Sequence, residues 1–305
     1  MHTLTDRRRA GVLLHPSSLP GQGYCGDFGD QARRFVDLIA QAGLQIWQVL
    51  PLGPTHDDGC PYQSFSVHAG NPDLIDLEWL VDKGWLTPEQ AGTGCASPEA
   101  KRQALTSAAA AFMTQVQSSA DAPMLSAYQQ FLDESAFWLE DYVRFQAFRD
   151  AEQRRPWTSW PPGLRDFEPG ACDRRALELA EAISALRFRQ FVFHCQWHEL
   201  RRYANARGVL LFGDIPIFVH QESADVWAHQ SLFDLDAQGQ PVTVTGVPPD
   251  YFSAEGQLWG NPQYNWQRMQ ADGFSWWLQR FDSAARQFDI APVSYTHLTL
   301  PTKIV

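Results

Sequence analysis

The sequence predicts an α/β fold, specifically a (β/α)8 TIM barrel interrupted by a helical insertion. Three apolar segments predict buried strands that each run into a loop with Pro or Gly: GVLLHPSSLP (11–20), IWQVLPLGP (46–54) and VLLFGDIPIFV (209–219). A helical pattern separates the first two, and strand, helix and strand in succession indicate parallel pairing. Parallel strands with long loops after them are typical of a barrel whose chemistry lies at the carboxyl ends of the strands.

The first helix is predicted in DQARRFVDLIAQAG, where Phe35, Leu38, Ile39 and Ala42 have helical spacing. Asp30 is the expected N-cap and Gly43 the expected stop. Residues 74–160 hold helical patterns without a strand candidate. This predicts an inserted helical subdomain rather than further barrel repeats.

Residues 174–207 predict one long helix or a broken pair that Gly208 ends. Its expected buried stripe, spaced i, i+4, i+7 and i+11, consists of Phe193, Trp197, Leu200 and Ala204. Next, residues 237–265 predict a long aromatic loop, and such loops inside compact domains are usually functional. A helix in FSWWLQRFDSAARQF then leads to FDI, the expected opening of a fourth strand.

Composition excludes several classes of function. The formal net charge is −11 and the longest basic run is Arg7–Arg9, so nucleic acid is not an expected partner. Five widely spaced cysteines without a CxxC pair argue against a disulfide framework and a zinc site, and no cofactor is expected. No segment approaches the roughly 20 apolar residues of a membrane span. We expect a soluble, cytoplasmic protein; the oligomeric state is not predicted.

Two acids are candidates for a site. Asp214 ends the third predicted strand, where it faces the mouth of a barrel or caps the next helix. Asp250 precedes Tyr251 and Phe252, a carboxylate beside rings that suits a sugar subsite, or alternatively an ordinary Pro-Asp turn. The 12 Trp residues add a weak carbohydrate signal, since sugar C–H faces stack on such rings.

His194 and His198 lie four residues apart on a predicted helix. They could share a metal ion, but Cys195 stands where the zinc-protease pattern requires Glu. A solvated helix face is therefore the preferred interpretation.

In several long segments the sequence resembles the 4-α-glucanotransferase (amylomaltase, or disproportionating enzyme) family of the α-amylase clan. The matching segments occur in the family's order, and similarity covers residues 8 to about 290, weaker across 90–175. They are RRAGVLLHPSSLPG, IWQVLPLGPT, PYQSFSVHAGNPDLIDL, QFVFHCQWHELRRYA, FGDIPIFV, SADVWAHQSLFDLD and GVPPDYFSAEGQLWGNPQYNW.

The resemblance implies a cytoplasmic enzyme that cuts maltooligosaccharides and α-1,4-glucans derived from starch or glycogen, and transfers the released segment to another glucan or to glucose by a retaining double displacement. It implies that Tyr62 borders the cleaved sugar and that Asp214 supports the site. It further implies that Asp250, Tyr251 and Phe252 form a loop over the cleft, and that Trp259 contacts glucan. Cys60 is a departure, since many relatives have Ser there.

The family's nucleophile and acid/base carboxylates are expected beyond Ile290, and APVSYTHLTLPTKIV (291–305) contains neither Arg nor an acid. We therefore expect no catalytic residue in this chain, a non-native tail at 291–305, and no activity of the chain alone. The implied organisation is about the first half of a barrel: 1–73 as its start, 74–173 as the insertion, and 174–290 as its continuation. A glucan-binding protein without catalysis and a hydrolase of the same clan stay open as alternatives.

Overall fold

The computed structural model describes residues 7–21, 23–118, 122–249, 251 and 253–292. Within them, helices surround a small parallel sheet, which confirms the predicted α/β class. No helix of the described residues is long and apolar enough to span a membrane.

The parallel sheet has three strands in the order β1 (Gly11–Leu13), β2 (Ile46–Gln48) and β3 (Leu210–Phe212). In register, Trp47 of β2 pairs with Val12 on one side and with Leu211 on the other. Trp47 is fully buried, and its indole N–H donates to the Leu14 carbonyl at 2.8 Å. Three strands do not by themselves establish a barrel.

Helices make up most of the remaining structure. In chain order they are α1 (Asp30–Gln41), α2 (Leu77–Asp82), α3 (Pro88–Gly94), α4 (Pro98–Gln117), α5 (Ala122–Ala151), α6 (Pro162–Arg165), α7 (Pro169–Glu178), α8 (Ala180–Asn205), α9 (Ala224–Ala228), α10 (Trp266–Ala271) and α11 (Ser275–Gln287).

Helix α1 connects β1 to β2, as predicted, but two details differ. Gly29 occupies the N-cap position and Asp30 is the first helical residue, where its charge favours the helix dipole. Leu38 is 62% exposed, because the buried face is formed by Ala32, Val36 and Ile39. Gly43 follows with a φ of +74°, which suits the predicted stop.

The inserted region 74–173 contains helices α2 to α6 and the first residues of α7, and its described residues contain no strand. It packs on α8 through aromatic contacts: the Phe112 ring of α4 lies 5.1 Å from Phe188 and 5.9 Å from Phe191 of α8. The boundaries of the insertion as a domain stay a prediction.

The helical region 174–207 is a broken pair, α7 and α8, interrupted at Leu179. The predicted stripe of Phe193, Trp197, Leu200 and Ala204 is buried along α8, with 4% exposure or less at each position. The helical period therefore identified the core face of α8 correctly.

The region 237–265 is not the long structureless loop that its composition predicts. It contains an antiparallel hairpin of β4 (Val244–Val247) and β5 (Gln257–Pro262) with an irregular register. Gly246 permits the close approach, since a Cβ there would lie 2.6 Å from the Gln257 carbonyl oxygen. The third strand is also shorter than predicted, since it ends at Phe212.

The FDI segment lies beside β3, as a fourth strand would. Ile290 forms a parallel bridge with Phe212, and its carbonyl accepts from the Gly213 N–H at 2.8 Å. Asp289 fixes this segment through both carboxylate oxygens, which accept from Arg201 of α8 and from the Leu211 N–H of β3.

Candidate functional site

Tyr62 and Asp214 come together at the carboxyl ends of the strands. Asp214 lies two residues after the end of β3, and Tyr62 lies in the loop after β2. Although they are 152 residues apart in sequence, the Tyr62 hydroxyl donates to Oδ2 of Asp214 at 2.7 Å. Parallel strands place their carboxyl ends at one edge of a sheet, which is why two distant loops meet here.

The phenol of Tyr62 is held in its protonated form. Burial, followed by the hydrogen bond to the Asp214 carboxylate, raises its pKa above the ordinary range. The hydroxyl is therefore a hydrogen-bond donor at every physiological pH, and it orients the carboxylate of Asp214.

The loop that carries Tyr62 is fixed from within. Thr55 and Ser64 form an antiparallel bridge, and the Ser64 hydroxyl contacts the carbonyls of Pro54 at 3.1 Å and Ser66 at 2.8 Å. Gly53 is packed against this turn, since a Cβ there would lie 2.3 Å from Ser64 Oγ. The position of Tyr62 thus depends on a glycine and a serine of the same loop, both of which also line the cavity described below.

A cavity beneath Tyr62 and Asp214 is lined by residues after β2, residues after β3 and one face of α11. Arg280 of α11 is 2% exposed; its guanidinium donates to the Pro216 carbonyl and, at 3.4 Å, to the Tyr264 hydroxyl. Burial lowers the pKa of Arg280. It fixes the segment directly after Asp214.

The sequence-based reasoning missed Arg280, although a signal existed. Arg280 lies four residues after Trp276 and four before Ala284, both of which are buried. Helical spacing therefore places this arginine on the apolar face of α11, where a long basic side chain must find internal acceptors.

An open groove of about 550 Å³ adjoins the cavity, and Tyr62 lines both. One wall is formed by the hairpin, where Trp259 lies 6.2 Å from the Phe218 ring. The indole N–H of Trp259 donates to the Gln257 side chain at 3.1 Å. The groove is lined by Cys60, Tyr62, Gln63, Pro216, Ile217, Phe218, Gln257, Leu258, Trp259 and Asn261.

The other predicted site residues are placed as follows. Asp250 and Phe252 lie outside the described residues. Tyr251, between them, is 97% exposed and does not line the groove. Cys60 does line it, and its N–H donates to the Asp58 carboxylate at 3.1 Å.

The chemistry of this surface suits binding of a neutral, hydroxyl-rich ligand. Rings of Tyr62, Phe218 and Trp259 provide apolar faces, and side-chain amides provide hydrogen bonds. Among the described residues that line the cavity and the groove, Asp214 is the single carboxylate. No group of three or more His, Cys, Asp or Glu in the described part of the chain could hold a metal ion.

His194 and His198 are not on a solvated helix face, which corrects that expectation. Both are partly buried, because α5 packs across this side of α8 and places the Phe131 ring 5.2 Å from His194.

Comparison with known families assigns the chain. The family model for 4-alpha-glucanotransferase, glycoside hydrolase family 77, matches residues 14–293. The chain belongs to the 4-alpha-glucanotransferase family. It is 42% identical to the 4-alpha-glucanotransferase of Thermus thermophilus over 294 residues, which cover 94% of this chain and 58% of that protein. It is 38% identical to the enzyme of Synechocystis over 303 residues, covering 96% of this chain and 59% of that one.

Solved structures of 4-alpha-glucanotransferases agree with this assignment. The amylomaltase from Streptococcus agalactiae in complex with acarbose superposes with a TM-score of 0.89 at 33% identity, covering 95% of this chain and 59% of that one. The amylomaltase from Corynebacterium glutamicum gives a TM-score of 0.68 at 17% identity over 93% of this chain and 40% of that one, a likeness of fold. This chain thus spans a little under three fifths of the first relatives it matches.

Proposed function

We propose that this chain forms about the first half of a 4-alpha-glucanotransferase barrel and supplies part of its glucan-binding surface. The observation that carries the proposal is the Tyr62–Asp214 hydrogen bond at the junction of the cavity and the aromatic groove. Substrates would be maltooligosaccharides and α-1,4-glucans derived from starch or glycogen. The acarbose complex of the Streptococcus agalactiae relative supports an oligosaccharide ligand.

In this proposal each residue has a separate role. Tyr62 borders the sugar ring at the bond to be cleaved, and Asp214 accepts its hydrogen bond and stabilises the site. Trp259 stacks on a sugar further along the groove. Asp250, Tyr251 and Phe252 would form a loop over the bound glucan.

The reaction would be a retaining transfer. One carboxylate attacks the anomeric carbon, and a second about 5–5.5 Å away protonates the leaving oxygen and later activates the acceptor hydroxyl. Asp214 fills neither role in this proposal, because its carboxylate is engaged by Tyr62. We therefore propose that the chain binds glucan and does not turn it over alone.

We propose further that additional β/α units complete the barrel beyond Ile290. The outward side of α11 supports this, because Leu278 is 63% and Phe281 43% exposed. A contiguous exposed apolar surface is typical of a face that packs against another element. Covering it would remove both side chains from water.

Glucan binding without catalysis is the second candidate function, favoured by the single carboxylate among the described lining residues. A hydrolase of the same clan is a third candidate function. The products formed by a complete barrel would distinguish it from a transferase: a mixture of longer and shorter glucans indicates transfer, and shorter glucans alone indicate hydrolysis.

The test measures binding and turnover on the 305-residue chain. Isothermal titration with maltoheptaose is expected to show binding that Trp259→Ala weakens by about tenfold, since stacking on an aromatic ring is worth about 1–1.5 kcal/mol. Leu177→Ala is the matched control, since Leu177 is exposed and lies outside the groove.

Incubation with maltotriose is expected to give neither glucose nor longer glucans. Maltoheptaose binding that is equal in wild type and Trp259→Ala would refute the groove as the glucan site. Products from maltotriose would refute the absence of turnover.

A further inference from the structure

The segment 216–218 forms a wall of the proposed glucan groove, and side chains hold its backbone. Pro216, Ile217 and Phe218 all line the groove. Pro216 and Phe218 also line the cavity beneath Asp214. Among the described residues, the carbonyls of Pro216 and Ile217 accept from no backbone N–H. The shape of this wall therefore depends on the side chains that bind these two carbonyls.

Tyr264 binds the second of these carbonyls. It lies two residues after the end of β5 and is 4% exposed. Its hydroxyl donates to the Ile217 carbonyl at 2.7 Å and accepts from the Arg280 guanidinium at 3.4 Å. Arg280 itself donates to the Pro216 carbonyl. Burial raises the pKa of Tyr264 to about 12, so its hydroxyl keeps the proton that it donates.

The ring of Tyr264 also contacts the Phe218 ring of the groove wall. The two rings are nearly parallel, at 18°, with centroids 6.2 Å apart. Four further aromatic side chains pack around Tyr264 with centroids 5.1–5.8 Å away: Phe233, Trp266, Trp276 and Trp277. A ring packed in this way has few alternative positions, so Phe218 rests against a fixed support.

Phe218 connects Tyr264, in the core, to Trp259, in the groove. The Phe218 and Trp259 ring centroids are 6.2 Å apart. We propose that Tyr264 is a positioning residue for glucan binding, which holds the Ile217 carbonyl and the Phe218 ring and thereby fixes Phe218 relative to Trp259. Tyr264 lines neither the groove nor the cavity, so it acts through Phe218. The role of Tyr264 rests on the proposed function, because the groove binds glucan only in that proposal.

The binding test is isothermal titration of the 305-residue chain with maltoheptaose. Tyr264→Phe removes the hydroxyl and keeps the ring. We expect about threefold weaker binding, less than the loss of about tenfold in Trp259→Ala, because the displaced Phe218 ring loses only part of its contact with the sugar. Tyr203→Phe is the matched control, since its hydroxyl donates to Asp37 at 2.8 Å and neither residue lines the groove. It is expected to leave binding unchanged.

A double-mutant cycle separates positioning from a general structural effect. If Tyr264 acts through Phe218 and Trp259, Tyr264→Phe costs little further affinity in the Trp259→Ala background. An equal loss in both backgrounds would overturn the inference, and so would binding by Tyr264→Phe that equals wild type. Phe218→Leu leaves Tyr264 in place and gives a second cycle with Trp259→Ala, for the case in which Tyr264→Phe does not fold. Additive losses in that cycle would also overturn the inference.

A second readout does not depend on glucan. Cleavage by chymotrypsin after Phe218 requires local opening of the segment 216–218, and mass spectrometry locates the cut. The cleavage rate follows the open population, so Tyr264→Phe is expected to raise it about fivefold, as loss of one hydrogen bond allows. Equal rates in Tyr264→Phe and Tyr203→Phe would overturn the inference. A wild-type chain that does not bind maltoheptaose would count against the proposed function, and cleavage after Phe218 would then decide whether Tyr264 holds the segment.

Discussion

Asp289 joins three parts of the structure, and its removal gives a sharp test of how the segment 288–290 is held beside β3. Oδ1 accepts from Nε and Nη2 of Arg201 at 3.0 and 2.9 Å. Oδ2 accepts from the Asn205 amide and the Leu211 N–H, both at 2.8 Å. The Asp289 side chain is 11% exposed and that of Arg201 22%. Asp289→Ala therefore removes four hydrogen bonds from a largely buried place.

The expected cost is about 3 kcal/mol. Breaking a buried ion pair by removing one partner costs roughly 3–5 kcal/mol, and the partial exposure of Arg201 places this case at the lower end. Asp289→Asn is expected to cost about 2 kcal/mol, since it still accepts from Leu211 but presents a donor to Arg201. Asp282→Ala is the matched control: its pair with Arg286 is about half exposed on both sides, so we expect less than about 0.5 kcal/mol.

Urea unfolding of the three variants, followed by circular dichroism, provides the measurement. With a slope of about 3 kcal/mol per molar urea, Asp289→Ala lowers the midpoint by about 1 M. If Asp289→Ala and Asp282→Ala shift the midpoint equally, the four hydrogen bonds that attach this segment do not determine stability and the reasoning fails.

Three further predictions concern the site and its support. Gly53→Ala places a Cβ 2.3 Å from Ser64 Oγ, so we expect titration to show weaker maltoheptaose binding. Adding Ser64→Ala removes the hydroxyl that clashes and is expected to restore part of the binding. If it restores none, this clash is not the cause. Tyr62→Phe removes the bond to Asp214 and, because Tyr62 is 37% exposed, is expected to cost about 1 kcal/mol in urea unfolding; an unchanged midpoint would contradict it. Burial raises the pKa of Asp225 from 3.8 to about 6. Between these two pH values the folded state therefore binds more protons than the unfolded state. The free energy of unfolding is expected to fall by about 3 kcal/mol as the pH rises from about 4 to 6. Asp225→Asn removes that fall, and equal pH profiles of wild type and variant would refute it.

The sequence predicted the parts of the fold in which apolar residues form a continuous run or recur at a regular helical spacing. Apolar runs separated by a helix predicted the parallel order of β1 and β2, and the stripe from Phe193 to Ala204 predicted the buried face of α8. The same reasoning placed Leu38 on the buried face of α1, where it is exposed. A 12-residue amphipathic helix tolerates one apolar residue beside its buried face, so spacing alone does not decide that position.

The hairpin of β4 and β5 escaped prediction for a different reason. Its strands contain Gly246, Gly260 and Pro262, residues that normally argue against a strand. Their pairing is irregular. The two segments are strands because they pair with each other, and their residue types alone do not predict this. The resemblance named Trp259 as a binding residue, but its place opposite Phe218 depends on this hairpin and could not follow from composition.

The helical insertion lies apart from the proposed glucan-binding surface. No residue of 74–173 lines the cavity beneath Asp214 or the groove beside Trp259. The groove is therefore formed without the insertion, by the loop of Tyr62, the residues after β3 and the hairpin. The insertion makes its own contacts where α5 crosses α8 and α11.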